Sequence, residues 1–220
     1  MSIILLTTTV NVQMKDWLRE TNPLERIATY TRSLSQWLEW TKFPIVVVEN
    51  TGYTYDEWKD WKEEYKDRLE IITFKEDELE RASYLKEDKS KGASEIFAIE
   101  YAYLNSRMIQ RDRDSFLIKI TGRFFIPELE HFLENIELKN YIALNQNNID
   151  ECQMVGVNIL YFYSVFYPKL INFKCEYDGH VENIYKERIL EIMSEKVIRC
   201  PSFKIPPTLG GGNDRIFIEI

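Results

Sequence analysis

The chain predicts an α/β fold, a mixed but mainly parallel sheet flanked by helices, and three observations carry that reading. Apolar β-type runs at residues 2–10, 43–50 and 115–125 each end in polar residues. Stretches of helical periodicity separate them. The second run, with Val46, Val47 and Val48, is also continuously apolar rather than alternating, as expected of a strand covered on both faces. In an open α/β sheet, ligands bind beyond the carboxyl ends of parallel strands. Thr8, Thr9, Glu49, Asn50, Thr121 and Arg123 fall at those ends and are candidates for one shared site.

The elements follow in order. Residues 3–9 form strand one. Asn22-Pro23-Leu24-Glu25 then opens a helix, with Asn as N-cap, Pro at the first helical position and Glu25 able to complete a capping box. Ile27, Tyr30, Leu34 and Leu38 recur at helical spacing and face the sheet. Residues 44–48 are strand two, Thr51-Gly52 makes a turn, and Trp58, Trp61 and Tyr65 stripe the next helix. Strand three is 69–74, and the charged segment 75–91 is a surface loop or short helix. After Gly92, a helix carries Phe97, Tyr101, Leu104 and Met108 on one face and leads to strand four, 116–120. Strand–helix units in this order argue for right-handed crossovers and a parallel sheet. Beyond strand four the rhythm changes: a short helix at 128–133, apolar runs at 141–144 and 155–164, a helix near 182–193, and a Pro/Gly-rich tail. With no repeat or linker, 1–220 reads as a single domain.

Composition narrows the classes. The 220 residues are 45% hydrophobic and 29% charged, ordinary for a globular domain. A net charge of −8 disfavours nucleic acid or an anionic membrane as partner, since both need an electropositive footprint. Cys152, Cys175 and Cys200 are too few and too dispersed for a disulfide framework. No stretch approaches a membrane span, and the N-terminal apolar run is too short for a secretory signal, so the expectation is a soluble, cytoplasmic protein.

Each candidate motif has a bland alternative. Thr7-Thr8-Thr9-Val10-Asn11 offers hydroxyls and amides to a base or ribose, although Thr is also simply a good β former. Neither a P-loop nor a Gly-rich dinucleotide turn follows strand one. Glu49 can accept from a base or ribose, or Glu49-Asn50-Thr51-Gly52 can be turn chemistry alone. Lys89, Lys91, Gly92 and the amides of a helix N-terminus suit a diphosphate, or Ser90 or Ser94 is a solvated cap. Arg123, following Gly122, can grip phosphate with two donors or form a structural ion pair. Mid-strand Lys119 needs a partner.

Taken together, Thr8-Thr9-Val10-Asn11, Glu49-Asn50-Thr51-Gly52, Lys91-Gly92-Ala93-Ser94-Glu95 and Lys119-Ile120-Thr121-Gly122-Arg123-Phe124 resemble the signature of short GT-A-type glycosyltransferases of bacteria and large viruses. Tyr161 to Ser164 and the helix start at His180-Val181-Glu182 also fit, so the resemblance spans roughly residues 3–190. It implies a GT-A-like, Rossmann-related fold, with 1–125 as its nucleotide-binding half and 126–220 as its acceptor-side half, and transfer of a hexose or pentose from a nucleoside-diphosphate sugar to a glycan or other hydroxyl acceptor. Thr8, Thr9, Val10, Glu49, Lys91, Gly92, Thr121, Gly122, Arg123 and Arg215 would then hold the nucleotide sugar. One departure matters: Thr121-Gly122-Arg123 stands where most such enzymes have a metal-holding Asp-x-Asp. Asp112-Arg113-Asp114 precedes the strand and reads as a turn, so use of a divalent metal such as Mn²⁺ is left open, with Glu76 and Asp77 as alternative acidic ligands. Arg123, Lys91 or Arg215 can supply positive charge instead. The acidic cluster Glu176, Asp178, Glu182 with His180 is where a general base is expected, Glu182 or Asp178 first. The tail Gly210-Gly211-Gly212-Asn213-Asp214-Arg215 is a hinge bringing Arg215 over the nucleotide, or a linker to a last strand. The competing readings are a non-catalytic nucleotide-sugar-binding module and a nucleotidyltransferase, the latter lacking its Gly-rich first loop here.

Overall fold

In the computed structural model, described for residues 1–12, 21–86, 91–168, 181–211 and 215–220, seven strands form one sheet. They are β1 (Ser2–Thr8), β2 (Ile45–Glu49), β3 (Leu69–Thr73), β4 (Phe116–Thr121), β5 (Ala143–Asn145), β6 (Met154–Asn158) and β7 (Val197–Arg199), in the order β3-β2-β1-β4-β6-β5-β7. Ladders β1–β2, β2–β3, β1–β4 and β5–β7 are parallel, whereas β6 runs antiparallel to both β4 and β5. The sheet is therefore mixed and mainly parallel. β1 and β4 are direct neighbours, with Thr7 opposite Thr121, and Thr8 lies opposite Glu49 of β2.

Alternation sorts the strand side chains into two layers. Ile4, Leu6, Ile45, Val47, Ile118 and Ile120 meet α1 (Pro23–Trp40) through Tyr30, Leu34, Trp37 and Leu38. Ile3, Leu5, Val46, Val48 and Leu117 meet α3 (Lys91–Asn105), on which Ile96, Phe97 and Ile99 are buried, and α7 (Val181–Leu190). Both faces being covered explains the unbroken apolar runs. The start of α1 follows local rules. Asn22 accepts from the Leu24 amide at 3.0 Å, Pro23 needs no donor, and Glu25 accepts from the Asn22 side-chain amide at 3.3 Å.

Several elements differ from expectation. The aromatic stripe at Trp58 begins as a 3₁₀ turn, Asp56–Trp58, and continues as the short α2 (Lys59–Glu64), so Tyr65 caps the helix instead of riding on it. Trp58 stacks on Tyr55 with centroids 3.7 Å apart. Segment 75–91 contributes two 3₁₀ turns, Glu76–Glu78 and Glu80–Lys86. The third α-helix, α3, starts at Lys91 and stops at Asn105. Met108 belongs to α4 (Arg107–Arg111), capped by Ser106, which accepts from the Ile109 amide at 3.1 Å. The helix expected at 128–133 is α5 (Leu129–Glu134), shifted by one residue. The apolar run 155–164 breaks at Asn158, whose side chain accepts from the Leu160 amide at 3.0 Å and starts a 3₁₀ turn leading into α6 (Phe162–Val165). The Pro/Gly-rich tail contains β7 and an antiparallel ribbon of β8 (Lys204–Leu209) and β9 (Ile216–Glu219).

The break between α3 and α4 has a cause far away in sequence. Buried Glu70 of β3 accepts from the Ser106 hydroxyl at 2.7 Å and from the amides of Arg107 and Met108 at 3.0 Å each. Burial pushes this carboxyl up, but the Met108 and Arg107 amides, then the Ser106 hydroxyl and Arg107 side chain, outweigh it, and the net shift is below the ordinary 4.5. A depressed carboxyl contributes stability that is fully present above its unfolded value and lost as pH falls through the folded one. Glu70→Gln is therefore expected to cost about 2 kcal/mol at pH 7. In urea unfolding, the gap between variant and wild type should close as pH drops below the ordinary carboxylate value; a gap constant with pH would show that ionised Glu70 does not anchor α4.

Candidate functional site

The carboxyl ends of β1, β2, β3 and β4 share one rim because these strands run parallel. The reversal of β6 brings its first residues to the same rim: Met154 lies opposite Ile120, and the Thr121 amide donates to Gln153 O at 2.9 Å. The rim is thus built from the end of β4 and the start of β6 together.

On the β1 side, the buried Thr8 hydroxyl donates to Val48 O at 3.0 Å, and the Thr9 hydroxyl donates to Asn50 Oδ1 at 2.8 Å. Buried Arg26 donates to Thr9 O at 2.5 Å and to the Tyr30 hydroxyl at 2.7 Å, so α1 fixes the exit from β1. Glu49 is fully buried. It accepts from the Val10 amide at 2.9 Å, the Thr51 amide at 2.8 Å and hydroxyl at 2.5 Å, and the Tyr53 amide at 2.9 Å. Burial raises this carboxyl above its ordinary value, only partly offset by those donors. The carboxylate that sequence offers to a ribose or base is engaged in shaping two loops. Its neighbour Asn50 reaches outward instead: Asn50 donates to Glu76 at 3.0 Å, and Glu76 accepts from the Ser94 hydroxyl at 2.9 Å. Thr9, Asn50, Glu76 and Ser94 thus form one polar chain from β1 to the first turn of α3. Both oxygens of Glu76, one of the alternative metal ligands, are already occupied.

Gly122 has a steric reason to be glycine. A Cβ there would come within 2.6 Å of Thr8 Cγ2 and 2.7 Å of Thr7 O, while its own amide donates to Thr7 O at 2.9 Å. The close approach is made by β1 itself. Arg123, 7% exposed, donates to Leu209 O at 3.2 Å, and Gly211 packs on its guanidinium. The C-terminal ribbon therefore covers Arg123, anchored by Phe217 edge-on to Phe124 with centroids 5.5 Å apart. Arg215 turns to Glu151, at 2.5 Å, and lies over the Phe217 ring. Residues 212–214 of the expected hinge lie outside the described residues.

On the α3 side, Lys91 is exposed at the first position of the helix and Gly92 is buried behind it; Lys89 and Ser90 lie outside the described residues. One turn further on, Glu95 accepts from Lys119 at 2.7 Å. Lys119 has no exposed surface and also donates to Cys152 O at 2.7 Å and the Thr121 hydroxyl at 3.3 Å. Burial alone would lower this ammonium; the Glu95 carboxylate, with Glu182 further off, overrides it and holds the charge. Glu182 is half-buried in the first turn of α7, and its charge acts on both Lys119 and the Cys152 thiol, which burial pushes well up. Asp178, Glu176 and His180 lie outside the described residues.

The structure thus brings Thr8, Thr9, Val10, Glu49, Thr121, Gly122 and Arg123 to one rim, while Glu182 stands in the first turn of α7, where its charge acts on Lys119 of β4. Asp112-Arg113-Asp114 lies at the opposite end, in the turn between α4 and β4. Sequence reading gave no role to Arg26 or Glu95. The signal for Glu95 was the unpaired mid-strand Lys119, which demanded a carboxylate without naming it. Among the described residues, no three His, Cys, Asp or Glu side chains gather as metal ligands, and no helix is long and apolar enough to cross a membrane.

No protein-family model matches the chain, and neither does any curated protein sequence. Among solved structures, the chain is similar to a candidate nucleotide-diphospho-sugar transferase of Desulfovibrio desulfuricans, at 16% identity and a TM-score of 0.48, over 91% of this chain and 79% of that one. It is also similar to the glycosyltransferase GlyE of Streptococcus pneumoniae, at 9% identity and 0.49, over 90% of this chain and 44% of GlyE. A cytidylyltransferase of Leptospira borgpetersenii aligns at 13% identity and 0.43, over 91% of this chain and 75% of that one. With TM-scores under 0.5, none of these likenesses assigns an activity to this chain.

Proposed function

We propose that the chain moves a sugar from a nucleoside-diphosphate sugar to a hydroxyl acceptor. The observation that carries this reading is the shared rim of the β1, β2 and β4 ends, tied through Thr9, Asn50, Glu76 and Ser94 to the first turn of α3, which begins at Lys91. Thr8, Thr9 and Val10 serve the nucleoside, with Glu49 holding their loop in shape. Lys91, Gly92, Thr121 and Arg123 serve the diphosphate, since helix amides and cations favour an anion there. Arg215 adds a cation on the tail side.

In the transfer, the acceptor oxygen bonds to the anomeric carbon as the bond from that carbon to the diphosphate oxygen breaks. Glu182, or Asp178 beyond the described residues, takes the acceptor proton. The charge left on the diphosphate is met by Lys91, Arg123 and the α3 amides, donors of the kind that stabilise developing negative charge.

Arg123→Ala is expected to weaken nucleoside diphosphate binding about tenfold or more, because a charge-assisted contact contributes about 1.5–3 kcal/mol. Titration of UDP, GDP and dTDP by calorimetry checks it, with a melting curve recorded because Arg123 also holds the C-terminal ribbon. Unchanged affinity in a folded variant would move the anion site elsewhere.

A further inference from the structure

Glu95 is held by two protein groups, Lys119 at 2.7 Å and the Tyr185 hydroxyl at 3.5 Å, and both fall on Oε1. Among the described residues, Oε2 takes no partner. The Glu95 side chain keeps 19% of its surface exposed, while the lysine that fixes it keeps none. A second group nearby is also unsatisfied. The Thr7 hydroxyl, on a residue only 8% exposed, is buried with no hydrogen-bond partner. By strand alternation Thr7 shares the face of Ile3 and Leu5, and Lys119 shares that of Leu117, the face on which α3 packs. Thr7 lies opposite Thr121, the residue whose hydroxyl accepts from Lys119. Buried polar groups are normally paired, so an orphan hydroxyl on the sheet face that carries Lys119, with a half-used carboxylate on that lysine, asks for a ligand.

Position says which part of the ligand. Lys91 and Glu95 are four residues apart on α3, hence on one face with Cβ atoms about 5–6 Å apart. If the helix start holds the diphosphate, the group bonded to its outer phosphate lies within reach of Glu95. That group carries several hydroxyls, each able to donate to a carboxylate oxygen and accept from a threonine.

We propose that Glu95 Oε2 and the Thr7 hydroxyl read hydroxyls of the transferred sugar, with Lys119 as the positioning residue that aims Glu95. This rests on the transferase reading above. Glu95 thereby contributes to donor specificity, and Glu182 remains the base.

The test compares affinity for a nucleoside diphosphate with affinity for its sugar ester, by calorimetry across UDP, GDP and dTDP and their common sugar esters. For the pair that wild type binds tightest, Glu95→Gln is expected to lose about tenfold or more on the sugar ester and to change diphosphate affinity less than about twofold. Lys119→Met should reproduce this split, which a merely structural lysine would not. Thr7→Val should lose affinity only for the sugar ester while melting no lower than wild type, because it replaces an unpaired buried hydroxyl with a methyl. Should Glu95→Gln not fold, the double variant E95Q/K119M removes the buried ammonium along with its partner and is read in the same way. Equal losses on both ligands, no loss on either, or a wild type that gains nothing from the attached sugar would overturn the inference while the diphosphate site stands. A wild type that binds no nucleoside diphosphate overturns the transferase reading, and this inference with it.

Discussion

Glu182→Gln is expected to lower turnover by about 10²–10⁴-fold, the usual contribution of a positioned general base, while leaving the affinity for the sugar nucleotide nearly unchanged. Gln preserves the shape and one acceptor oxygen but cannot take a proton. The split between turnover and binding follows from location. Glu182 stands in the first turn of α7, where its charge acts on Lys119 and the Cys152 thiol, and not among the residues proposed to hold the diphosphate. Single-turnover rates and equilibrium titration of the same preparation check both halves. Full turnover in Glu182→Gln would pass the role to Asp178, and full turnover in Asp178→Asn as well would remove the cluster from catalysis. A product retaining the donor's anomeric configuration would exclude the direct displacement and make these carboxylates acceptor-binding groups.

Trp37→Ala is expected to be the most destabilising of the substitutions considered, at about 3–5 kcal/mol. In a domain of this size that lowers the melting temperature by on the order of 10 °C. Trp37 is fully buried on α1, edge-on to Phe43 and Phe125, and its indole nitrogen donates to Phe124 O at 2.9 Å. The Ser33 hydroxyl donates to the same carbonyl, also at 2.9 Å. Trp37→Phe keeps a ring and leaves Ser33 on the carbonyl, so about 1 kcal/mol is expected there. Differential scanning calorimetry of the two variants separates packing from hydrogen bonding, and equal losses would show that the indole volume contributes little. Because Phe124 follows Arg123, the Ala variant should also weaken diphosphate binding at temperatures where it remains folded.

The first four strands and the start of α1 are legible in the sequence because their causes are local. An apolar run covered on two faces, or Asn22-Pro23 at a helix start, carries its signal within a few residues. The antiparallel course of β6 is not local. It depends on pairing with β4 and β5, and the apolar run 155–164 hides its end, since only Asn158 marks the change to a turn. The tail reads as irregular because Pro206 and Pro207 argue against a strand, yet a two-stranded ribbon tolerates them where no neighbour needs their missing donors. The site shows the same division. Strand-end residues could be gathered at one rim from topology alone. That Glu49 would be consumed by four loop donors, and that Lys119 would find its carboxylate on α3, depended on pairings no periodicity encodes.

The interior position of β1 in the sheet, between β2 and β4, also governs when the fold can close. One edge of β1 pairs with β2, some forty residues on, but the other waits for β4, where Ser2 meets Phe116. During synthesis at about 5–20 residues per second, that second edge stays unpaired for roughly 6 to 23 s after the first strand is made. Pairings this distant raise contact order and slow folding, and an open apolar strand edge invites other chains meanwhile. The strand that seals β1 is the one that ends in Thr121-Gly122-Arg123. Closure of β1 and arrival of the β4 side of the rim are therefore a single late event, and a chain halted before β4 has neither.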